Sequence, residues 1–479
     1  MNRRKFLAAS AMSVVAARLP LYADGPGPVR QDVSTAAAAS NLAKYASAVA
    51  NMKALPAADP RNWTKQALIH LNNCPHRNWW FLPWHRAYLY YFEQICQDVL
   101  SDNSFRLPYW NWSAGNTVPK PFLDQGSTLW DRRAQTTVPL ETVNTGLIQG
   151  IVASGNQLQL FSGATSTDQQ RQQSVEGTLE ATPHDTVHIT LGGDSDDMAT
   201  FMSPLDPIFW LHHCNLDRIW ASWSIVSGHA QPTNALWSNH KLTTFYDPQT
   251  NSQVTPVVSA MPNGPFRVDY DSFVTVPTPR TLRANLNDFV MKTQSLSVGS
   301  LADQPLAAAN LQKISGAVRP TAGVSLGSGA NFSVPVSGNL RAFVEPISPV
   351  ASNARATAIS KETFLLIENV PRPSDPKISL RVFLNCQSPT TKTPTSDKSY
   401  VGTVSFFGDH TGMPGMPSAR TFALSLSDAL SRTIATGYAP NAPLEIGIVA
   451  VDLSDPNRVS TEEIVRPAEL RVVALAEKL

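Results

Sequence analysis

Cysteine is scarce in this chain and charge is nearly balanced, and each shortage removes a class of protein. Four cysteines, Cys74, Cys96, Cys214 and Cys386, are spread through 479 residues without a Cys-x-x-Cys pair. That excludes a disulfide framework and a cysteine-based zinc module. Net charge is +1 with no long basic or acidic run, so charge selects neither nucleic acid nor an anionic membrane as partner. No stretch after the N-terminus is long and apolar enough for a transmembrane helix. Charged residues are only 16% of the chain and hydrophobic ones 42%. That balance provides a sizeable core, and the length implies two or three domains.

The first residues read as an address rather than as structure. Arg3, Arg4 and Lys5 precede an apolar run from Ala8 to Ala17. A basic segment followed by an apolar one is a signal-peptide pattern, and the paired arginines point to twin-arginine export. Residues 1–23 are assigned to this signal, with cleavage near Ala23 and a periplasmic or secreted product.

Helical periodicity then dominates. Ser34 is read as the N-cap of a helix from Thr35 to Met52, and Trp63 to His70 forms a second. A third starts beside His85, with Tyr88, Phe92, Ile95 and Val99 on one face. Residues 113–175 are polar and aperiodic. A fourth strong helix runs from Ile208 to about Ile225, with Asp206 placed to cap it. Residues 24–275 are therefore read as a mainly α-helical bundle, and the proline-rich stretch 276–330 as a linker. From 331 the period changes to two, as in Ile378-Ser-Leu380-Arg-Val382-Phe-Leu384, and residues 331–479 read as a β-sandwich. The expected class is multi-domain, helical bundle first and β-sandwich second.

Histidine is rare too, but seven of the ten lie in two short stretches. The first holds His70, His76 and His85; the second holds His184, His188, His212 and His213. A metal-binding histidine must be neutral, aimed and held through its other ring nitrogen. His184 and His188, at i and i+4, share a helical face. His212 and His213 diverge by about 100° on a helix and cannot both point inward. His213 shares its face with Phe209 and Asp217 and is the chosen ligand; His212 stays open as an alternative ligand or neighbour. Two all-imidazole triads, His70/His76/His85 and His184/His188/His213, favour copper over iron, which would bring glutamates, and over catalytic zinc.

The motifs Phe81-Leu-Pro-Trp-His85-Arg86-Ala-Tyr88 and Asp206-Pro-Ile-Phe209-Trp-Leu-His-His213-Cys-Asn-Leu-Asp217, with His70, His76, His184 and His188, resemble the type-3 copper family of tyrosinases, catechol oxidases and hemocyanins. The resemblance covers roughly residues 28–225. It implies a coupled pair of copper ions in a helical bundle, which binds O2 as a bridging peroxide and oxidises phenols or o-diphenols to o-quinones. The β-rich tail is more weakly similar to the C-terminal domain of plant-type polyphenol oxidases, which implies a lid over the copper site. Some family members join a Cys-x-His pair by a thioether, and Cys74 and His76 stand at that spacing. Plant members share an N-terminal disulfide pair, and no cysteine precedes Cys74. Glu180 matches a glutamate that holds a water near the coppers and could help deprotonate a phenol. Asp185 stands where many tyrosinases have asparagine, which bears on monophenol activity. Phe81 is expected to pack between the triads, and Asp217 to pair with Arg86 or orient a histidine. In the tail, His410, Met413 and Met416 could pass Cu(I) inward.

The expected partners are O2 and a small phenol. An o-aminophenol oxidase is the main alternative, and a hemocyanin-like O2 carrier or a zinc hydrolase are the others.

Overall fold

The computed structural model describes residues 29–153, most of 162–275 and most of 311–476, the longest omissions in the last stretch being 337–360 and 408–418. The signal segment 1–23, most of the linker and the 408–418 loop with His410, Met413 and Met416 lie outside the described residues.

Among the described residues the main helices of the first part are α1 (Ala39–Ala54), α2 (Trp63–Asn73), α3 (Phe81–Leu100), α4 (Asp185–Gly192) and α5 (Ile208–Ala221). Shorter helices at Leu140–Val143 and Thr145–Ala153 fall in the stretch read as irregular. The expected cap Ser34 is not used. A 3-10 turn at Ala36–Ala38 precedes α1, with Thr35 in extended conformation before it. Instead Ser34 donates to Asp32 at 2.8 Å, a local turn bond that competes with capping. Asn62 caps α2 by accepting from the Thr64 amide at 3.0 Å. Pro83 is tolerated in α3 because it sits in the first turn, where its missing N–H would have no helical partner. Asp206 accepts from the Ile208 amide at 3.0 Å at the start of α5, as its position suggested.

A buried charge network ties α3 to α5. Arg86 Nε donates to Asp217 at 2.7 Å, and Tyr270 donates to the other Asp217 oxygen at 2.6 Å. Arg30 bonds Glu93 of α3 at 3.1 Å, and Glu93 also accepts from the Leu107 amide at 2.8 Å. Arg30 and Tyr270 come from the parallel pair β1 (Val29–Arg30) and β4 (Asp269–Tyr270), so the two ends of the helical part are stapled beneath its central helices. Removing one member would strand a buried charge, at a cost of about 3–5 kcal/mol.

The C-terminal part holds two four-stranded antiparallel sheets. One has β7 (Gly329–Val334), β9 (Ile378–Leu384), β10 (Tyr400–Val404) and β12 (Leu444–Asp452) in the order β10-β9-β12-β7. The other has β5 (Leu311–Lys313), β8 (Lys361–Pro371), β11 (Ala419–Ser425) and β14 (Glu469–Ala476) in the order β11-β8-β14-β5. Two short hairpin-like pairs lie outside these sheets, β2 (Phe245–Asp247) with β3 (Ser252–Val254) and β6 (Val324–Ser325) with β13 (Glu463–Val465). Strands of the C-terminal part thus begin at Leu311, inside the stretch read as linker. Leu380, Val382, Ile446 and Ile448 fill the core between the sheets with Leu365, Ile367, Leu470 and Val472. Phe383, Val449 and Val451, on the opposite face of the first sheet, join the hydrophobic core of the helical part instead. That sheet is covered on both faces, which is why even Ser379 and Arg381 are buried.

Candidate metal centre

The two histidine clusters meet where α2, α3, α4 and α5 converge. The rings of His70, His76 and His85 lie 5.5–5.9 Å apart. Those of His184, His188 and His213 lie 4.5–5.6 Å apart. The triads touch through His85 and His213, stacked with centroids 4.3 Å apart and planes 13° from parallel. Phe81 packs at 4.8 Å from His85 and 4.9 Å from His184, between the triads as expected. Phe209 fills the other side, 4.2 Å from His213 and 5.1 Å from His70.

Five of these rings are held by an acceptor at Nδ1. His85, one turn into α3, donates to the Phe81 carbonyl four residues back at 2.7 Å. His70 and His188 donate to the carbonyls of Phe201 and Met198 at 2.8 and 2.7 Å. His76 donates to Glu180 at 2.7 Å, and His184 to Asp185 at 2.8 Å. A carbonyl or carboxylate accepts only, so each bond places the proton on Nδ1 and leaves the Nε2 lone pair for a metal. Gly192 makes the Met198 contact possible. A Cβ there would stand 2.0 Å from the Ala199 amide nitrogen, so only glycine lets α4 end against that backbone.

Burial depresses the ring pKa of His85, His188 and His213, and takes His184 down to about 3. These rings are therefore neutral at neutral pH, as ligation requires. Nε2 of His85 and of His184 are buried without a hydrogen-bond partner among the described residues, and the Nε2 atoms of His188 and His213 face each other at 3.4 Å. Buried orphan nitrogens are costly unless something binds them, and an all-imidazole set suits copper. The residues fit a pair of copper ions.

His212 belongs to the same group, each of His184, His188, His212 and His213 bringing a ring nitrogen within 4.8 Å of the others. Its Nδ1, however, accepts from the Trp112 indole at 3.2 Å. Indole only donates, so neutral His212 carries its proton on Nε2 and offers no lone pair inward. Cys74 is buried, and its sulfur and the ring nitrogens of His70 and His76 lie within 4.8 Å of one another.

The two carboxylates singled out in the sequence face their neighbours' ring nitrogens. Glu180 takes the His76 proton on one oxygen, and the Arg77 amide reaches both oxygens at 2.9–3.0 Å. Burial, then the charges of Glu176 and Asp185, push its pKa well above the usual range. Asp185 bonds His184 through one oxygen and Arg420 through the other, at 3.3 Å.

The sequence reading missed what closes the site. Phe407, just beyond β10, inserts its ring 4.1 Å from His188, 5.3 Å from His184 and 5.5 Å from His76. Phe201 lies 5.3 Å from His76 and 5.5 Å from Phe407. The sequence signal for Phe407 is its place in the pair Phe406-Phe407, three residues before His410.

Paired histidine triads at the centre of a helical bundle offer the donors that a two-metal site needs. Residues 47–128 and 124–225 match the common central domain of tyrosinase, so this part of the chain carries that domain. The chain is 32% identical over 232 residues to aureusidin synthase of Antirrhinum majus, across 39% of this chain and 41% of that protein. It is 33% identical over 228 residues to a chloroplastic polyphenol oxidase of Malus domestica, across 39% and 38%. It thus spans about two fifths of the length of these relatives. In fold it is similar to latent apple tyrosinase, with a TM-score of 0.67 at 22% identity over 95% of this chain and 98% of that one. A latent aurone synthase gives 0.66 at 21% over 95% and 91%. The architecture is theirs: a helical core followed by a β-rich domain.

Proposed function

We propose that this chain is a copper-dependent oxidase that converts phenols or o-diphenols to o-quinones with O2, held latent by its own β-rich part. The observation that carries this is the pair of imidazole triads joined face to face by His85 and His213. Copper bound there supplies the redox exchange, two o-diphenols being oxidised for each O2 reduced to two waters. The protein aims and shields: five Nδ1 bonds set the rings, and Phe81, Phe201 and Phe209 keep bulk water from the pair. Glu180 and Asp185 act as positioning residues for His76 and His184, since their oxygens are engaged by those rings. Phe407 occupies the space a phenol ring would need against His188. The β-rich part is accordingly a lid, joined to a catalytic unit ending near residue 275. Export through the twin-arginine segment would suit a protein that acquires metal while folded.

Copper analysis of the purified chain, then O2 uptake with tyrosine, catechol and o-aminophenol before and after proteolytic removal of the tail, tests this reading. Two coppers per chain and catechol turnover that rises on tail removal are expected. A chain that holds no copper, or that oxidises none of the three substrates when opened, defeats it. Turnover of o-aminophenol without catechol would move the substrate class.

A further inference from the structure

The lid does more than insert a ring. Arg420, at the start of β11 where the register with β8 shifts, is buried. Its guanidinium spans both parts of the molecule. Nη2 donates to the Phe407 carbonyl at 2.7 Å. Nη1 lies 3.2 Å from the Ser405 carbonyl, 2.7 Å from Glu176 and 3.3 Å from Asp185. Asp185 uses its remaining oxygen for His184 Nδ1 at 2.8 Å. The plug, the guanidinium, the carboxylate and the histidine thus form one unbroken chain of hydrogen bonds. Around it Glu176, Glu180 and Asp185 crowd together, with Arg77, bonded to Glu176 at 3.2 Å, as a cation from the helical part.

We infer that Arg420 is a positioning residue for His184, supplied to the helical part by the β-rich part. A planar fork bonded at once to two backbone carbonyls and two carboxylates fixes where Asp185 points, and Asp185 fixes the His184 ring. The consequence is that the opened protein is not the closed one minus a plug. When the β-rich part leaves, Asp185 loses the Arg420 guanidinium. The metal site therefore differs between the closed and opened forms.

The inference rests on reading His184 as a copper ligand, but its first test needs no metal. Amide hydrogen exchange is measured over residues 183–192 in the metal-free full chain. Arg420→Met and Asp185→Ala should each speed exchange there about tenfold or more, as for loss of one charged hydrogen bond. The double variant should be no faster than either single one, because both break the same chain. Phe407→Leu, which keeps the carbonyl that Arg420 binds, should exchange as the unaltered protein does. If Arg420→Met fails to fold, Arg420→Lys serves: one ammonium cannot span the same acceptors, so exchange over 183–192 should still rise. Chelator competition then reads the copper itself, and Arg420→Met should weaken one of two ions by about ten- to a hundredfold. Exchange over 183–192 unchanged in both Arg420 variants, or equal acceleration in Phe407→Leu, overturns the inference. Absence of copper would defeat the functional reading and leave this one to the exchange result.

Discussion

The ring of Phe407 lies 4.1 Å from the ring of His188, inclined by 32°. A residue from the β-rich part therefore packs on a histidine from α4, 219 positions earlier in the chain, in the space the proposed function assigns to the substrate. Phe407→Gly should open the site with the tail still attached. Catechol oxidation by the uncut chain should rise about tenfold or more, since apparent affinity scales with the fraction of molecules whose site is accessible. Unchanged turnover in a copper-loaded variant would show that the barrier is elsewhere in the lid.

His212 and His213 are neighbours with opposite expectations. His213→Gln should lose one of the two coppers, and His212→Gln should keep both, because Trp112 holds the His212 lone pair. Metal analysis of both variants after dialysis distinguishes them. Equal losses would mean that the Trp112 bond does not choose between the two rings.

Glu180 acts through His76, to which it is bonded at 2.7 Å. Glu180→Gln should lower copper affinity about ten- to a hundredfold, the usual effect of replacing a carboxylate behind a ligating histidine. If affinity were untouched and only the rate on phenols fell, Glu180 would be acting on substrate instead.

The Cys74 sulfur lies within 4.8 Å of a ring nitrogen of His76, and a thioether between the two is the expected outcome. The thioether would remove the thiol hydrogen and one ring hydrogen, a two-electron oxidation with O2 as the acceptor. Intact mass of the copper-loaded protein should then be two hydrogens lower than that of protein made without metal, with the difference confined to the peptide holding residues 74–76. An unmodified thiol in fully loaded protein rules the bond out.

Asp197 opens the turn whose Met198 carbonyl holds His188. Burial first, then the charge of Asp131, push the Asp197 pKa up to about 7. The folded state thus keeps a proton that the unfolded state releases near the ordinary value of 3.8. Between those two values folding binds a proton, so this group's contribution to stability falls as pH rises and is lost by about pH 7. Asp197→Asn should raise the melting temperature at pH 8 and change it little at pH 4. A uniform effect across that range would mean that Asp197 does not titrate as described.

Much of the site was legible because its ligands come in short-range patterns. The i, i+4 pair His184/His188 and the aromatic motifs around His85 and His213 each lie on or beside one helix, where sequence spacing translates directly into direction. The choice of His213 followed from helical phase alone, and the structure adds Trp112 as a second reason. The cap at Ser34 failed because its side chain turned to Asp32, a competing local bond that propensity does not rank. The sheet β10-β9-β12-β7 reads in sequence as half-exposed, since Ser379 and Arg381 alternate with apolar residues; only docking on the helical part buries them.

By itself, then, the sequence determined the helical and β-rich halves, the two triads and the copper-type donor set, all of which depend on residue type and local period. Tertiary structure alone decided which groups hold the rings: the carbonyls of Phe201 and Met198, and the lone-pair block on His212 by Trp112. It also decided that Phe407 and Arg420, ordinary residues at strand ends, reach into a site more than two hundred residues away in sequence. Such contacts arise from how two packed units meet, and no periodicity along either unit encodes that meeting.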